Sequence, residues 1–241
     1  MITSSNNDKI YIGRNAGKEL LELIKGAKKS VKIVSPYLSS SYVKELIELS
    51  KRGREVMLIT CDKIVDERSR YSDVKTSDLV KEKKILLPEN EKTRKRGAFI
   101  GLMVFLLSLI LFPVGFLMDM NEIMLSVSVI IFVISVIILG YYYLFVENYR
   151  IEYEPIFRMK VFDSHSGKNP LSTELVHSKI YIIDEERAYL GSANFSYSGF
   201  KTHYETLIEI KDNKAIKDIS DEVERLYSSN DFKAKDIGEW V

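Results

Sequence analysis

The sequence predicts an α/β protein in which a mixed β-sheet flanked by helices is interrupted by a two-helix transmembrane hairpin. Three observations support this fold class. Helical periodicity alternates with short β-branched stretches early in the chain, two long uncharged runs lie near its middle, and a polar motif on a predicted β-hairpin follows them. Alternating strands and helices are typical of layered α/β folds, because each helix covers one face of the sheet.

The first part of the sheet domain is predicted within residues 1–64. Apolar residues recur at helical spacing over residues 15–27, and a strand followed by a loop is expected over residues 31–38. A second helix is expected over residues 42–51 and a second strand over residues 55–60.

A charged linker, residues 65–96, leads to the two uncharged runs. These runs are residues 97–118 and 123–146, which are 22 and 24 residues long, whereas about 20 apolar residues suffice to cross a bilayer. Only four residues separate them. Residues 97–146 are therefore expected to form one transmembrane hairpin, because two such runs exceed what a small soluble domain can enclose.

Charges beside the two runs predict the orientation of the hairpin. The outer flanks are basic and the connecting loop is acidic: the cations are Lys92, Arg94, Lys95, Arg96 and Arg150, and the acids are Asp119 and Glu122. Under the positive-inside rule, both halves of the sheet domain are expected to be cytoplasmic, as parts of an integral membrane protein.

Residues 147–241 complete the predicted sheet domain and carry the most informative motif. It reads H-S-K-I-Y-I-I-D from His177 to Asp184, and after six intervening residues G-S-A-N begins at Gly191. A half-buried strand is expected over residues 176–184. Residues two apart on a strand share a face, so His177 and Lys179 are expected to project into one site.

The rest of the motif is expected to return to the same site. A polar turn follows Asp184, and a second strand over residues 187–191 would bring Ser192 and Asn194 beside the first strand. A closing amphipathic helix is expected over residues 213–229.

These residue types suit an attack on phosphorus. An imidazole can act as the nucleophile on a phosphodiester and form a covalent phosphohistidine, if a partner holds its tautomer and orientation. A lysine ammonium attracts the non-bridging oxygens, and hydroxyl and amide groups add neutral donors. This set requires no metal ion, so neither a metal nor another cofactor is predicted.

The motif resembles the HKD motif of the phospholipase D superfamily, in the form found in single-motif members. The resemblance implies that His177 is the nucleophile, that Lys179, Ser192 and Asn194 bind the phosphate, and that Asp184 is a largely structural part of the catalytic motif. It also implies a phospholipase D-like mixed sheet, to which the upstream strand and loop ending in Ser-Pro-Tyr are similar.

Two further residues stand near the motif. Glu205 occupies the position at which single-motif members carry a glutamate that hydrogen-bonds the nucleophilic histidine. His203 stands near a position that is often Asn in such members, so the resemblance leaves its role open. His165 is expected in a loop that lines the cleft.

Cleavage through a histidine needs a second group that protonates the leaving oxygen. The chain has three histidines, and neither His165 nor His203 lies in a second motif. The resemblance to single-motif members therefore implies a two-fold homodimer, in which one His177 attacks and its symmetry mate acts as the acid.

Composition constrains the partners less than the motif does. The net charge of +1 conceals an asymmetry, because residues 1–96 carry 22 basic and 14 acidic residues and residues 147–241 carry 13 and 18. A basic half can be drawn to anionic headgroups or to nucleic acid, and charge alone does not choose between them. Cys61 is the only cysteine, which excludes an intramolecular disulfide.

The sequence thus predicts a membrane-anchored phosphodiesterase. A phospholipid substrate is favoured, because the hairpin would hold the cleft near lipid headgroups. The alternatives are a metal-independent nuclease that acts on DNA or RNA, since single-motif relatives include nucleases, and a non-catalytic oligomerisation or sensing module on a membrane anchor. The sequence leaves open whether the phosphoryl acceptor is water or an alcohol.

Overall fold

The computed structural model describes residues 2–5, 8–62, 74, 76–117, 122–163 and 176–240. The chain forms two compact units: the sheet unit, Met1–Lys81 with Tyr153–Val241, and the helical unit, Glu82–Glu152. The strands are β1 Ile2–Ser5, β2 Asp8–Gly13, β3 Ser30–Val34, β4 Glu55–Cys61, β5 Val80–Leu86, β6 Tyr149–Pro155, β7 Arg158–Phe162, β8 Ile180–Ile183, β9 Arg187–Gly191 and β10 Glu205–Ile210. The α-helices are α1 Lys18–Lys25, α2 Ser40–Lys51, α3 Pro88–Leu117, α4 Glu122–Leu144 and α5 Asn213–Ser228.

The sheet unit is built on an eight-stranded mixed sheet with the order β1-β2-β10-β9-β8-β3-β4-β7. Strand β4 pairs in parallel with β3 and with β7, and the other neighbouring strands are antiparallel. The predicted mixed sheet flanked by helices is therefore confirmed. Strands β5 and β6 form a separate two-stranded sheet.

Apolar side chains cover both faces of the sheet. On one face, Leu20 and Ile24 of α1 and Leu46 of α2 belong to a buried cluster that includes Ile33. On the other face, Ile216 of α5 belongs to a second cluster with strand residues such as Val34 and Ile182. Successive side chains of a strand point to opposite faces, so β3 contributes to both clusters.

Ion pairs around the buried Lys32 fasten α5 to the sheet. The Nζ of Lys32 on β3 lies 2.8 Å from Oε1 of Glu185 and 2.9 Å from Oε1 of Glu224, and it donates to Ser220 Oγ at 2.8 Å. Arg158 of β7 donates to the second oxygen of Glu224 at 2.8 Å. Because the buried ammonium of Lys32 needs these carboxylates as partners, the cluster holds the helix in one register.

The helical unit consists mainly of α3 and α4, which pack against each other through small residues. A Cβ added at Gly97 would lie 2.4 Å from the Tyr142 ring, and one at Gly101 would lie 2.9 Å from Leu139. Glycines four residues apart allow two helices to approach closely in this way. The outward surfaces are apolar, with more than half of the side chain exposed at Phe99, Ile100, Ile110, Ile130 and Ile137.

Within the described residues, one segment is long and apolar enough to cross a bilayer. It is Ser126–Leu144 of α4, with a mean hydropathy of 2.4 and about 11% of its residues buried. The two predicted spans fall on two consecutive helices, α3 and α4. Among the described residues, only α4 contains a segment that is long and apolar enough to cross a bilayer. Helix α3 also begins at Pro88 and so includes the basic flank that precedes residue 97.

The charged linker contains regular structure that its composition does not predict. Strand β5 lies within it, and its last residues form the first turns of α3. Residues 65–73 and 75 of the linker lie outside the described residues, as does the predicted loop that contains His165.

Asp184 ties the β8–β9 turn to the loop before β3. Its carboxylate accepts hydrogen bonds from the backbone N–H groups of Lys28 at 3.0 Å, Lys29 at 2.6 Å and Ser30 at 3.0 Å. Its φ of 57° lies in the left-handed region, which Asp and Asn tolerate better than most residues. Burial raises the pKa of Asp184, but the three backbone donors and the charge of Lys29 outweigh it, so the pKa lies below its ordinary value.

We expect Asp184→Asn to lower the free energy of unfolding by about 1–3 kcal/mol, because charge-assisted hydrogen bonds to a turn are lost while the left-handed backbone is still tolerated. Since the folded-state pKa lies below the unfolded value of about 3.9, the wild-type contribution is present above that pH. It is lost as the pH falls through the folded-state pKa. Thermal unfolding of the full chain in detergent micelles, measured from pH 7 downwards, tests both statements.

Glu186→Gln is the matched control, because Glu186 lies in the same turn and its side chain, among the described residues, forms an exposed ion pair with Lys29 and no other. Such a pair contributes about 0–1 kcal/mol. Equal stability of the two variants at pH 7 would contradict the anchoring role of Asp184.

Candidate active site

The motif residues meet at one edge of the sheet. His177 and Lys179 precede β8, and Ser192 and Asn194 follow β9, which is antiparallel to β8. Glu205 is the first residue of β10, which pairs with β9. Each strand therefore presents its motif residues at the same end, and Asp184 lies at the opposite end of β8.

The strand that carries the motif is shorter than predicted. Regular pairing begins at Ile180, and residues 176–179 are irregular. Lys179 is nevertheless buried and His177 exposed, and the Nζ of Lys179 lies 2.9 Å from Nδ1 and 3.1 Å from Nε2 of His177. The same ammonium donates to the carbonyl of His177 at 2.6 Å. The two side chains thus share one site, as the sequence predicts, through direct contact rather than through strand alternation alone.

The electrostatic environment favours the neutral imidazole. Although the His177 side chain is exposed overall, partial desolvation of its ring lowers its pKa, and the adjacent charge of Lys179 lowers it further. Burial also lowers the pKa of Lys179, although the carboxylate of Glu205 opposes this effect. A neutral imidazole has the lone pair that a nucleophile needs, and the ammonium beside it attracts an anion.

Gly191 allows the loop after β9 to lie directly against β10. A Cβ at this position would be 2.0 Å from the carbonyl oxygen of Thr206, so no other residue fits without displacing the backbone. The N–H of Ser192 donates to that carbonyl at 2.9 Å, and the Thr206 N–H donates to Ser192 Oγ at 3.0 Å. Ser192 Oγ in turn donates a short hydrogen bond to Glu205 Oε2. The hydroxyl is therefore fixed in position.

A hydrogen bond fixes the backbone of Asn194, whereas the side-chain oxygen of this residue has no partner among the described residues. Its carbonyl accepts a hydrogen bond from Ser196 N–H at 2.7 Å. In the part of the chain that the structure describes, its side-chain Oδ1 is buried without a hydrogen-bond partner. A buried polar atom without a partner is costly, and it is often found where a ligand or water completes the bonding.

The loop after β3 supports this region, which the motif alone does not reveal. Ser35 Oγ accepts a hydrogen bond from the Phe195 N–H at 2.9 Å, and Ser39 Oγ accepts one from the Tyr197 N–H at 2.8 Å. The Ser-Pro-Tyr sequence after β3 predicts a loop. It does not predict the contacts of this loop with the G-S-A-N segment, because those contacts depend on the order of the strands in the sheet.

Glu205 contacts Ser192 and His203 rather than the predicted nucleophile. Among the described residues, its Oε2 accepts from Ser192, and its Oε1 lies 3.6 Å from Nδ1 of His203. No hydrogen bond joins Glu205 to His177 in this set. Within the described residues, no group of three or more His, Cys, Asp or Glu side chains is arranged to hold a metal ion.

The arrangement can hold a phosphate and attack it. A neutral imidazole, a buried ammonium, a fixed hydroxyl and an amide converge at one edge, which is the set of groups that phosphoryl transfer to nitrogen needs.

Comparison with known proteins identifies the fold and the family. The family described as "Cardiolipin synthase, PLD-like domain" matches residues 20–96 and 147–227, which is more than half of the chain and leaves out residues 97–146. The chain has no match among curated protein sequences.

Several solved structures are similar to this chain, and the first of them shares its fold. NucT from Helicobacter pylori is 15% identical with a TM-score of 0.51, over 95% of this chain and 99% of that protein. Nuc from Salmonella typhimurium, a phospholipase D family member, is 12% identical with a TM-score of 0.45, over 95% and 99%. The phosphatidylserine synthase of Haemophilus influenzae is 14% identical with a TM-score of 0.44, over 98% of this chain and 42% of that one.

The family match covers both halves of the sheet unit, including the motif between β7 and β10, and the fold agrees with it. The chain therefore belongs to the phospholipase D superfamily, through the family of cardiolipin synthase-type, phospholipase D-like domains.

Proposed function

We propose that the protein is a membrane-anchored phosphodiesterase that works through a covalent phosphohistidine on His177. The observation that carries this proposal is the contact between the Lys179 ammonium and the His177 imidazole at 2.9 Å, beside the fixed Ser192 hydroxyl. Such a pair supplies a nucleophile and an anion-binding charge in the same place.

The first chemical step forms a nitrogen–phosphorus bond. Lys179 and Asn194 hold the non-bridging oxygens, Ser192 joins them by turning its hydroxyl proton from Glu205 to the phosphate, and a ring nitrogen of neutral His177 attacks phosphorus. The bond from phosphorus to the leaving oxygen breaks, and that oxygen takes a proton. In the second step the oxygen of water or an alcohol attacks phosphorus and the phosphorus–nitrogen bond to His177 breaks. The proton of the water or alcohol passes to the group that gave one to the leaving oxygen in the first step. Asp184 positions the hairpin from its far end, and Glu205 holds Ser192.

The proton for the leaving oxygen is assigned to a second copy of the chain. The sequence contains one HKD motif, so a two-fold homodimer would place the partner's His177 opposite the nucleophile. Its imidazolium form donates the proton when the oxygen departs.

The helical unit supports a membrane anchor. Helices α3 and α4 expose apolar side chains over most of their outer surface, and such surface is stable in a lipid environment. The family match is interrupted over the same residues, 97–146, which agrees with a hairpin inserted into the domain. The proposed substrate is a phospholipid, because an anchored cleft meets headgroups at high local concentration. Both halves of the sheet unit are proposed to lie in the cytoplasm.

A second candidate function, a metal-independent nuclease, is favoured by exposed aromatic residues near the site. Tyr197 follows the G-S-A-N segment and Tyr204 precedes Glu205, and they are 49% and 76% exposed. Exposed rings beside a phosphate site are typical of single-strand binding, because every base can stack on them.

We expect His177→Asn to abolish phosphodiester cleavage, with a loss of at least about 10³-fold, because the nucleophile is removed. The full chain in detergent is assayed with chelator present, separately on labelled anionic phospholipid, single- and double-stranded DNA, and RNA. Ser178→Ala is the control, because this neighbouring side chain is exposed. The substrate that is cleaved decides between a phospholipid phosphodiesterase and a nuclease.

Two results would contradict this mechanism. One is abolition of wild-type cleavage by the chelator. The other is the absence of an acid-labile phosphoryl adduct on His177 when turnover is quenched with a substrate that the wild type cleaves.

We expect the active species to be a dimer in which both copies of His177 are needed. Wild-type and tagged His177→Asn chains are co-expressed, and mixed dimers are purified by the tag. A mixed dimer should cleave the substrate identified above at least about 10²-fold more slowly than the wild-type dimer, because its one nucleophile lacks its proton donor. An active monomer in detergent sizing would contradict the shared site.

We expect the connection between α3 and α4 to face the opposite side of the membrane from the sheet unit, as the flanking charges predict. Glu122→Cys and Lys92→Cys are each introduced with Cys61→Ser. An impermeant maleimide added to intact cells should label only the Glu122→Cys chain, and both after permeabilisation. Labelling of Lys92→Cys in intact cells would refute the predicted orientation, and release of the protein by alkaline carbonate would refute the anchor.

A further inference from the structure

We propose that Tyr181 is a positioning residue for Asn194, which it holds through the backbone carbonyl of the preceding residue, Ala193. This inference rests on the proposed function and deepens it, because Asn194 is one of the proposed phosphate ligands. The structural basis is a buried clamp around the G-S-A-N segment, in which Tyr181 supplies the contact from β8.

The central contact of the clamp is one hydrogen bond. Tyr181 lies on β8, two residues after Lys179, and its hydroxyl donates to the carbonyl of Ala193 at 2.6 Å. Both Tyr181 and Ala193 are fully buried. Burial raises the pKa of Tyr181 well above its ordinary value, so the phenol keeps its proton and remains a donor. Loss of the hydroxyl would leave a buried carbonyl without its donor, which costs more than the loss of a bond that water can replace.

The ring of Tyr181 fixes the direction of this hydrogen bond. Its centroid lies 6.2 Å from that of Phe195 and 5.6 Å from that of Phe200, and both of these side chains are fully buried. A ring in a close-packed cluster cannot turn to follow a moving carbonyl. The peptide between Ala193 and Asn194 is therefore held at a fixed distance from the strand that follows Lys179.

Two further contacts confine the same peptide from other sides. The N–H of Phe195 donates to Ser35 Oγ at 2.9 Å, in the loop after β3. A Cβ added at Gly199 would lie 2.4 Å from the carbonyl oxygen of Asn194, so the π-helical turn Ser198–Thr202 packs directly against this backbone. The backbone of Asn194 thus lies between three elements, and Tyr181 supplies the contact from the strand that follows Lys179.

The clamp uses different groups from those that hold the nucleophile and the other phosphate ligands. His177 contacts Lys179, and Ser192 is held by Thr206 and Glu205. Loss of the Tyr181 hydroxyl should therefore displace the amide of Asn194 and leave the nucleophile and the Ser192 hydroxyl in place.

Tyr181→Phe removes the hydroxyl and keeps the ring. With bis(4-nitrophenyl) phosphate as the probe, the full chain in detergent should lose kcat/KM by about 10²-fold, because a ligand displaced by about 1 Å can cost this much. Inorganic phosphate should inhibit the variant about tenfold less tightly. The pH dependence of kcat/KM should keep its shape, because the desolvation of the His177 ring and the charge of Lys179 are both unchanged.

Tyr42→Phe is the matched control. Among the described residues, the Tyr42 hydroxyl is buried without a hydrogen-bond partner. The Tyr42 ring packs against the same two phenylalanines, with centroids 5.4 Å from each. This variant should keep the wild-type kcat/KM. An equal loss in both variants would assign the effect to packing of the aromatic cluster and would overturn the role of the Tyr181 hydroxyl.

A double-mutant cycle supplies a readout that a merely structural role would not change. If Tyr181 acts through Asn194, then Tyr181→Phe should lower kcat/KM by no more than about twofold in a chain that already carries Asn194→Ala. In a chain that carries Ser192→Ala, the full loss of about 10²-fold should remain, because independent sites contribute additively.

Ser35→Ala gives a second approach to the same peptide. Thermal unfolding of each variant in detergent shows whether the chain is folded at the assay temperature. If Tyr181→Phe is unfolded there, Ser35→Ala should show the same pattern, with a loss of kcat/KM alone and little further loss in the Asn194→Ala chain.

Wild-type kcat/KM in folded Tyr181→Phe overturns the assignment, and so does an undiminished loss in the Asn194→Ala chain. A wild-type chain that binds inorganic phosphate, measured by calorimetry, but forms no adduct on His177 overturns the proposed function instead. The phosphate affinity of Tyr181→Phe then decides the assignment by itself. A wild-type chain that neither cleaves the probe nor binds phosphate overturns both.

Discussion

The active edge depends on the register of the β8–β9 hairpin within the sheet. Strand β8 pairs with β3 on one side and β9 pairs with β10 on the other, so the hairpin cannot slide against either neighbour without breaking a ladder. A slip by one residue would exchange the faces of every side chain on the strand. The Asp184 carboxylate fixes the turn at one end, and Gly191 fixes the approach to β10 at the other. The position of the motif side chains is therefore a consequence of backbone pairing, and the motif chemistry follows from it.

Two buried lysines, Lys32 and Lys179, differ in how their charge is compensated. Burial alone lowers the pKa of Lys32, but Glu185 and Glu224 outweigh it and raise the pKa above the ordinary value. Burial also lowers the pKa of Lys179. The nearby Glu205 compensates only in part, so the pKa of Lys179 stays below its ordinary value. Among the described residues, Lys179 donates to a carbonyl and an imidazole, and no carboxylate lies within ion-pair distance. A buried cation with so little compensation is costly to the fold, and an anion bound beside it would remove that cost. The unsatisfied Oδ1 of Asn194 is a further cost at the same edge, and because this oxygen is an acceptor, a donor such as water would remove it rather than an anion.

Local patterns predicted the elements that have strong local signals. Both early helices, the strands after them, the returning strand and the closing helix lie where periodicity placed them, with ends that differ by a few residues. The family resemblance predicted the superfamily correctly. The sequence does not predict that β2 and β10 pair with each other. This pairing joins residues nearly 200 positions apart, and no local pattern encodes it. The sequence also does not predict the hydrogen bond from Ser192 to Glu205. The motif indicates which residues belong to the site, but not the distances between their side chains. Strand β5 was missed because its alternating lysines and glutamate are typical of a solvated linker.

The insertion of a helical hairpin into the domain is physically inexpensive at the place where it occurs. Strands β5 and β6 pair with each other, and the N–H of Leu87 donates to the carbonyl of Asn148 at 2.8 Å, so the chain leaves and returns at adjacent points. The entropy of closing a loop depends only on the logarithm of its length, and it is smaller still when the inserted segment has its own structure. Among the described residues, neither core cluster of the sheet unit contains a residue from 82–152. The core that positions His177 is therefore built from the segments that flank the insertion, so an anchor can be added or changed at this point without altering the register of the active edge.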